Sequence, residues 1–236
     1  MQVCPALKNL PHANHLAALE IFASGPTMTG DLPPSSSVTE ASVLAAAAIT
    51  IRPTAGLPFH FQEWREFENF VGDQKKTGII DHMNEIRWDI RPSPHLGTIE
   101  VRIFDGVSNL HELSALVALT HCLIVDLDRR FDAGESLPVM PPWHVQENKW
   151  RAARYGLDAI IILDADSNER LVTEDLDDIL ERLVPVAKSL GCVDELARVA
   201  DVYRTGASYQ RQRRIAEEHD GDLRTVVDAL VGELVI

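Results

Sequence analysis

Five charged side chains fall in a pattern that could do chemistry: Arg87, Asp89 and Arg91 in "IRWDIR", and Glu100 and Arg102 in "TIEVRIF". Side chains of an extended strand alternate between two faces. Ile86, Trp88 and Ile90 then share one face while Arg87, Asp89 and Arg91 share the other. In the second run Ile99, Val101 and Ile103 pack, and Thr98, Glu100 and Arg102 point away. The stretch "PSPHLG" between them is long enough to connect an antiparallel hairpin. A face with carboxylates beside guanidiniums suits phosphate chemistry. Carboxylates are preferred oxygen ligands of Mg2+, and arginine presents a planar, permanently charged fork to phosphoryl oxygens. A solvated sheet face with cross-strand ion pairs has the same sequence pattern, each pair contributing under about 1 kcal/mol. Spacing alone leaves both readings open.

A second polar cluster lies in "ENKWRAARYG". Glu147 can pair with Arg151 at i, i+4, and stacking of Arg151 on Tyr155 and of Arg154 on Trp150 is sterically available. Two arginines on a short helix would complement an anionic site, yet a surface helix laced by such pairs needs no ligand. His95 falls in the hairpin turn, where an exposed histidine is the ordinary outcome. His12 and His15 stand three apart, which is ligand spacing, with no third ligand nearby. Cys4, Cys122 and Cys192 are far apart and contain no CxxC pair, a count that fits a reducing cytoplasm better than a disulfide framework.

The elements that must position these residues can be read from periodicity. "QEWREFENFVGD" carries Trp64, Phe67, Phe70 and Val71 at helical spacing, with Gly72 placed to end the helix. The positions Leu110, Leu113, Leu116, Val117, Leu123, Ile124 and Leu127 predict a long buried helix capped by Ser108. "HVQENKWRAARYG" reads as a short polar helix stopped by Gly156, and "AIIIL" at 159–163 as a short strand or a buried connector. Thr173 can cap a helix with Leu176, Ile179, Leu180, Leu183, Val184, Ala187 and Leu190 on one face, ending at Gly191. Helices over 194–204, 208–219 and 222–235 follow, and their short loops favour up-and-down packing.

The chain as a whole has 236 residues, 45% of them apolar, and a formal charge of −14, so its phosphate-repelling background disfavours nucleic acid as a partner. No run of eighteen apolar residues occurs, and residues 1–20 lack a charged segment followed by an apolar one; neither a membrane span nor a secretory signal is expected. Composition shifts abruptly at Pro53. Residues 1–52, rich in Ser, Thr, Ala, Pro and Gly, are expected to be a divergent, flexible segment, and 53–236 the patterned globular part.

Three stretches in order, "PTAGLPFHFQEWREFENFV", "WDIRPSPHLGTIEVRIFD" and "ENKWRAARYGLDA", closely resemble the carboxylate–amine ligase family, the bacterial type-2 glutamate–cysteine ligases. The likeness runs from about Pro53 to Leu234. It implies an α+β fold: part of a glutamine-synthetase-like antiparallel sheet, with a hairpin at about 86–104, and a mainly helical C-terminal subdomain. It further implies ATP and Mg2+ as cofactors. Glutamate's γ-carboxylate would be activated as an acyl phosphate and attacked by an amine such as that of cysteine. On the matching positions the resemblance implies that Glu100 would be the metal ligand, Arg102 and Arg91 catalytic, and Asn148, Arg151 and Arg154 the residues that bind nucleotide or substrate. The implied partners are amino acids and ATP, with neither nucleic acid nor membrane, in a cytoplasmic protein. The family's amino-terminal G-x-E-x-E and His-x-His strands have no counterpart here. The chain therefore reads as a copy lacking the N-terminal half of the catalytic domain, with weak activity expected. The alternative is a non-catalytic remnant whose C-terminal helices mediate interaction, such as homo-oligomer contacts.

Overall fold

The computed structural model describes residues 54–61, 63–104, 106–135 and 139–234. The expected flexible segment, the His12/His15 pair and Cys4 lie outside the described residues. These residues form two compact units, divided between Ile103 and Phe104.

The first unit contains β1 (Ala55–Gly56), α1 (Trp64–Lys76), a short 3-10 turn at Met83–Glu85, β2 (Arg87–Trp88), β3 (Ile90–Ser93) and β4 (Thr98–Val101). β3 and β4 form the anticipated antiparallel hairpin, with Ile90 opposite Val101 and Arg91 opposite Glu100. The connection is tighter than the sequence suggests. Pro92 and Ser93 belong to β3, and the turn is Pro94–Gly97, where Gly97 takes φ +67°. The first strand does not run unbroken from 86 to 91. β2 pairs in parallel with β1, and the Asp89 N–H donates to the Gly56 carbonyl at 2.8 Å while the Asp89 carbonyl accepts from Arg102 N–H at 2.7 Å. In a regular strand both backbone groups of one residue face the same neighbour, so the chain bends at Asp89 and changes partner there.

The alternation of faces is realised over residues 86–90, whereas in β4 Ile99, Glu100 and Val101 are all half-buried. Ile86, Trp88 and Ile90 are buried, and Phe67, Ile80, Ile86 and Trp88 form a core cluster flanked by Phe61, Trp64, Phe70, Val71 and Met83. Phe70 stacks on Trp88 with ring centroids 4.9 Å apart. Helix α1 does not stop at Gly72. An interior glycine costs only about 1 kcal/mol relative to alanine, and the following Gln74, Lys75 and Lys76 are good helix formers. The stop is at Gly78, φ +71°. There Gly78 N–H donates to Lys75 O at 3.1 Å and Ile79 N–H to Gln74 O at 3.0 Å, the paired closure of a Schellman motif.

The second unit contains α2 (Leu110–Asp132), α3 (Pro142–Tyr155), β5 (Ile160–Ile162), β6 (Glu169–Leu171), α4 (Val172–Leu190), α5 (Val193–Thr205), α6 (Ser208–Glu218) and α7 (Leu223–Glu233). Helices α2, α4 and α5 pack on one another, and α6 packs on α7. Leu119, Cys122 and Leu123 of α2, Leu176, Leu183 and Ala187 of α4, and Val199 of α5 fill the core. This arrangement is the mixed α+β architecture anticipated, consistent with part of a glutamine-synthetase-like fold. Helix α2 is long and apolar enough to cross a membrane by length and composition. Here it is the central helix of the unit, and its Asp126 pairs with Arg182 of α4.

Three local expectations change. On α2, Leu110, Leu113 and Val117 are 68%, 44% and 58% exposed, while Ala115, Ala118, Leu119 and Cys122 are buried. The helix is apolar around most of its circumference, so periodicity could not select the face that α4 and α5 cover. Its cap is Asn109, whose side chain accepts from Glu112 N–H at 2.8 Å; Ser108 instead donates to Glu233 of α7. Helix α4 starts at Val172, directly from β6, which places Thr173 inside it. β6, three residues pairing with β5, is too short to show a period.

Candidate active site

The outward face of the β3–β4 hairpin holds a three-member charged cluster. Register puts Arg91 directly opposite Glu100. Arg91 Nε donates to Glu100 Oε2 at 2.7 Å, and Arg102 Nη1 donates to Glu100 Oε1 at 2.6 Å. One carboxylate thus carries a guanidinium on each oxygen. The hydrogen bond from Arg91 is the largest influence holding the Glu100 carboxyl below its ordinary value of 4.5; burial opposes it, and the hydrogen bond from Arg102 adds to the lowering.

The two arginines differ in what they have left to offer. Arg91 Nη1 also donates to the carbonyls of Asn84 at 2.7 Å and Ile86 at 2.6 Å, and its side chain is 13% exposed. It is anchored to the turn before β2. The Arg102 side chain is 32% exposed, and its guanidinium donates to Glu100. Arg91 is therefore built to hold the carboxylate in place, and Arg102 to reach outward.

The residues expected on α3 have other duties within the second unit. Asn148 is 2% exposed. Its Nδ2 donates to Ile162 O and its Oδ1 accepts from Ile162 N–H, both at 2.8 Å. The amide clamps the end of β5 to the helix. Arg151 Nε donates to Glu147 at 2.9 Å, the i, i+4 pair anticipated, and its Nη1 donates to Glu169 at 2.5 Å and to Ile160 O at 2.9 Å. It ties α3 to both strands of the β5–β6 hairpin. Arg154 is exposed. The anticipated arginine stacking is absent among the described residues: the Trp150 and Tyr155 rings meet each other edge to face at 5.7 Å, because Arg151 is drawn toward the two carboxylates.

The donor set decides what this face could hold. Paired guanidiniums fit phosphoryl oxygens. Mg2+ demands an octahedral set of oxygens, and among the described residues no group of three His, Cys, Asp or Glu side chains is placed to hold a metal. Glu100, already engaged by two arginines, is one donor and not a shell. The hairpin offers two guanidiniums, a donor type suited to phosphoryl oxygens, and does not by itself supply a shell for the cation.

The Glutamate-cysteine ligase family 2 (GCS2) model matches residues 10–229. The chain belongs to this family. The match takes in both the charged hairpin and α3, and begins ahead of the composition change near Pro53. Among curated family-named relatives, a provisionally named glutamate–cysteine ligase 2-1 of Mycolicibacterium vanbaalenii is 91% identical over 184 residues, covering 78% of this chain and 48% of that protein. A provisionally named glutamate–cysteine ligase 2 of Mycobacterium tuberculosis H37Rv is 84% identical over 184 residues, covering 78% of this chain and 49% of its own. The chain thus spans about half the length of the curated ligase relatives it matches.

Sequence reasoning located the hairpin cluster of this glutamate–cysteine ligase family member but missed what fixes it. The carbonyls of Asn84 and Ile86 that anchor Arg91, and Glu169 that engages Arg151, carry no sequence signal, because their role depends on where a bend brings the backbone. A second omission is a sulfur contact between Cys122 and Cys192, 70 residues apart.

Proposed function

We propose that the hairpin face is the phosphoryl-handling part of an ATP-dependent carboxylate–amine ligase site, with glutamate and cysteine, the substrates in the relatives' name, as the carboxylate and amine. The observation that carries this reading is Glu100 held between two guanidiniums, one anchored and one reaching outward. In the first half-reaction the terminal phosphoryl group passes from ATP to a carboxylate oxygen of glutamate and ADP leaves. In the second, the amine nitrogen attacks the acyl carbon, the carbon–oxygen bond to phosphate breaks, and inorganic phosphate and a proton are released.

Arg102 would stabilise charge on the transferred group, where donors already in place cost no reorganisation. Arg91 would act as a positioning residue, orienting Glu100 and through it Arg102. Mg2+, when bound, neutralises phosphate charge; Glu100 would supply one oxygen donor, and the others must come from outside the described residues. Nucleotide binding with little turnover is the expected behaviour of this polypeptide alone, because among the described residues no group of three His, Cys, Asp or Glu side chains joins Glu100 in a metal shell.

The test is thermal stabilisation by millimolar ATP with Mg2+, which any binding site confers on the folded state by mass action. The melting temperature should rise with ATP concentration, and Arg102→Ala should reduce the rise at least tenfold in apparent affinity, a loss of about 1.4 kcal/mol. An unchanged ATP response in Arg102→Ala removes the hairpin from the nucleotide site. ADP release that requires both glutamate and an amine, and is abolished by Glu100→Gln, would show turnover as well.

A second reading, a helical interaction module, is favoured by one observation. Leu223, Val227 and Val231 are exposed at i, i+4 and i+8 on α7, an apolar stripe suited to another helix. No ATP response in a well-folded sample, with concentration-dependent self-association lost in Val227→Lys, would select it.

A further inference from the structure

We propose that Cys122 and Cys192 are a reversible oxidative modification site, closing an intramolecular disulfide that ties α2 to the corner between α4 and α5. Cys122 lies midway along α2 and is 0% exposed. Cys192 is the residue before α5 and is partly exposed. Although 70 residues separate them in sequence, their sulfurs are 3.7 Å apart. A disulfide needs about 2.0 Å, so the sulfurs must approach by roughly 1.7 Å, within reach of small side-chain rotations and a slight shift of the corner.

The corner has room to give. Gly191, which ends α4 at φ +71°, has nothing within 4 Å of the place a Cβ would occupy. The unequal exposure of the two thiols assigns their order of reaction. Cys122 is out of reach of an oxidant in solution because it is fully buried, and burial, with a smaller effect from Cys192, pushes its thiol up to about 12. Cys192 is the sulfur a dissolved peroxide can reach.

The step balances with hydrogen peroxide as oxidant. The Cys192 sulfur displaces hydroxide from the peroxide and becomes a sulfenic acid, its proton leaving with that hydroxide as water. The Cys122 sulfur then attacks the sulfenyl sulfur, the S–O bond breaks, and the departing hydroxyl takes the Cys122 proton as a second water. Two thiols are oxidised to one disulfide and one peroxide is reduced to two waters. A dithiol reductant reverses the modification by thiol–disulfide exchange.

The experiment uses the full chain, reduced, native and treated with a graded series of hydrogen peroxide. Remaining thiols are alkylated and the protein is cut by trypsin without reduction. The expected product joins residues 103–129 to residues 189–198, cut at Arg102, Arg129, Lys188 and Arg198. Its mass is the sum of the two peptides less two hydrogens, and it disappears on reduction. It should persist in Cys4→Ser and vanish in Cys192→Ser. Oxidised wild type should melt at a higher temperature than reduced wild type, a shift that Cys192→Ser lacks. The proposal is overturned if Cys192 advances to sulfinic acid while Cys122 remains an alkylatable thiol and no joined peptide forms. This outcome is read on wild type, so it does not depend on any variant folding.

Discussion

At the scale of single residues, hydrogen-bonding side chains of similar sequence appearance do different work. Glu100 is a half-exposed carboxylate whose value is lowered chiefly by Arg91 and next by Arg102. A depressed carboxylate contributes stability above its unfolded value and loses it as pH falls through the folded one. Glu100 should therefore titrate below 4.5 when its carboxyl carbon is followed by NMR, and Arg91→Ala should raise that midpoint more than Arg102→Ala. The opposite order would mean that Arg102, not Arg91, holds the carboxylate. Asn148 illustrates the buried case. Truncation to alanine leaves the Ile162 N–H and carbonyl without their side-chain partners, and each orphaned buried group costs about 1–3 kcal/mol. Asn148→Ala should destabilise the helical unit by about 2–4 kcal/mol in urea unfolding, a cost that appears without any ligand present.

At the scale of elements, two glycines of the α1 region have opposite roles. Gly72 sits inside the helix and is exposed, and Gly78 follows it at φ +71°; an added Cβ would meet nothing within 4 Å at either position. Space is therefore not the deciding factor, and backbone conformation is. Gly72→Ala should stabilise by about 1 kcal/mol through helix propensity, whereas Gly78→Ala should destabilise by about 1 kcal/mol because alanine resists the left-handed region. Equal effects of the two substitutions in thermal melts would contradict the Schellman assignment. The hairpin shows a related dependence on backbone detail. Its charged face was legible because period 2 is robust, but the bend at Asp89 was not, since pairing with β1 is decided by residues more than thirty positions upstream. Likewise Asn109 rather than Ser108 caps α2: both are competent cap residues, and Ser108 is claimed by Glu233 from a distant helix.

At the scale of the whole molecule, a charge of −14 sets the background against which every local site works. Self-repulsion destabilises the compact state and is screened by salt. Exposed ion pairs, which salt weakens, are worth little individually. The melting temperature should therefore rise when salt increases from roughly 10 mM to 150 mM, where the screening length falls from about 30 Å to about 8 Å. A fall would mean that attractive pairs such as the hairpin cluster outweigh the net repulsion. Any anionic ligand would meet the same background, offset at the hairpin by two guanidiniums around one carboxylate.

The sequence by itself determined the family, through three long segments in register, and that resemblance implied the α+β architecture with a hairpin at about 86–104 and a mainly helical C-terminal part. It also placed Arg91, Glu100 and Arg102 on one strand face, because alternation is a property of the local backbone. Only the tertiary structure decided which face of α2 is buried, that Asn148 clamps a strand, that Arg91 is the anchored member of its cluster, and that two distant cysteines touch. Each of those outcomes depends on contacts between residues far apart in the chain, and periodicity, propensity and capping carry information only about near neighbours.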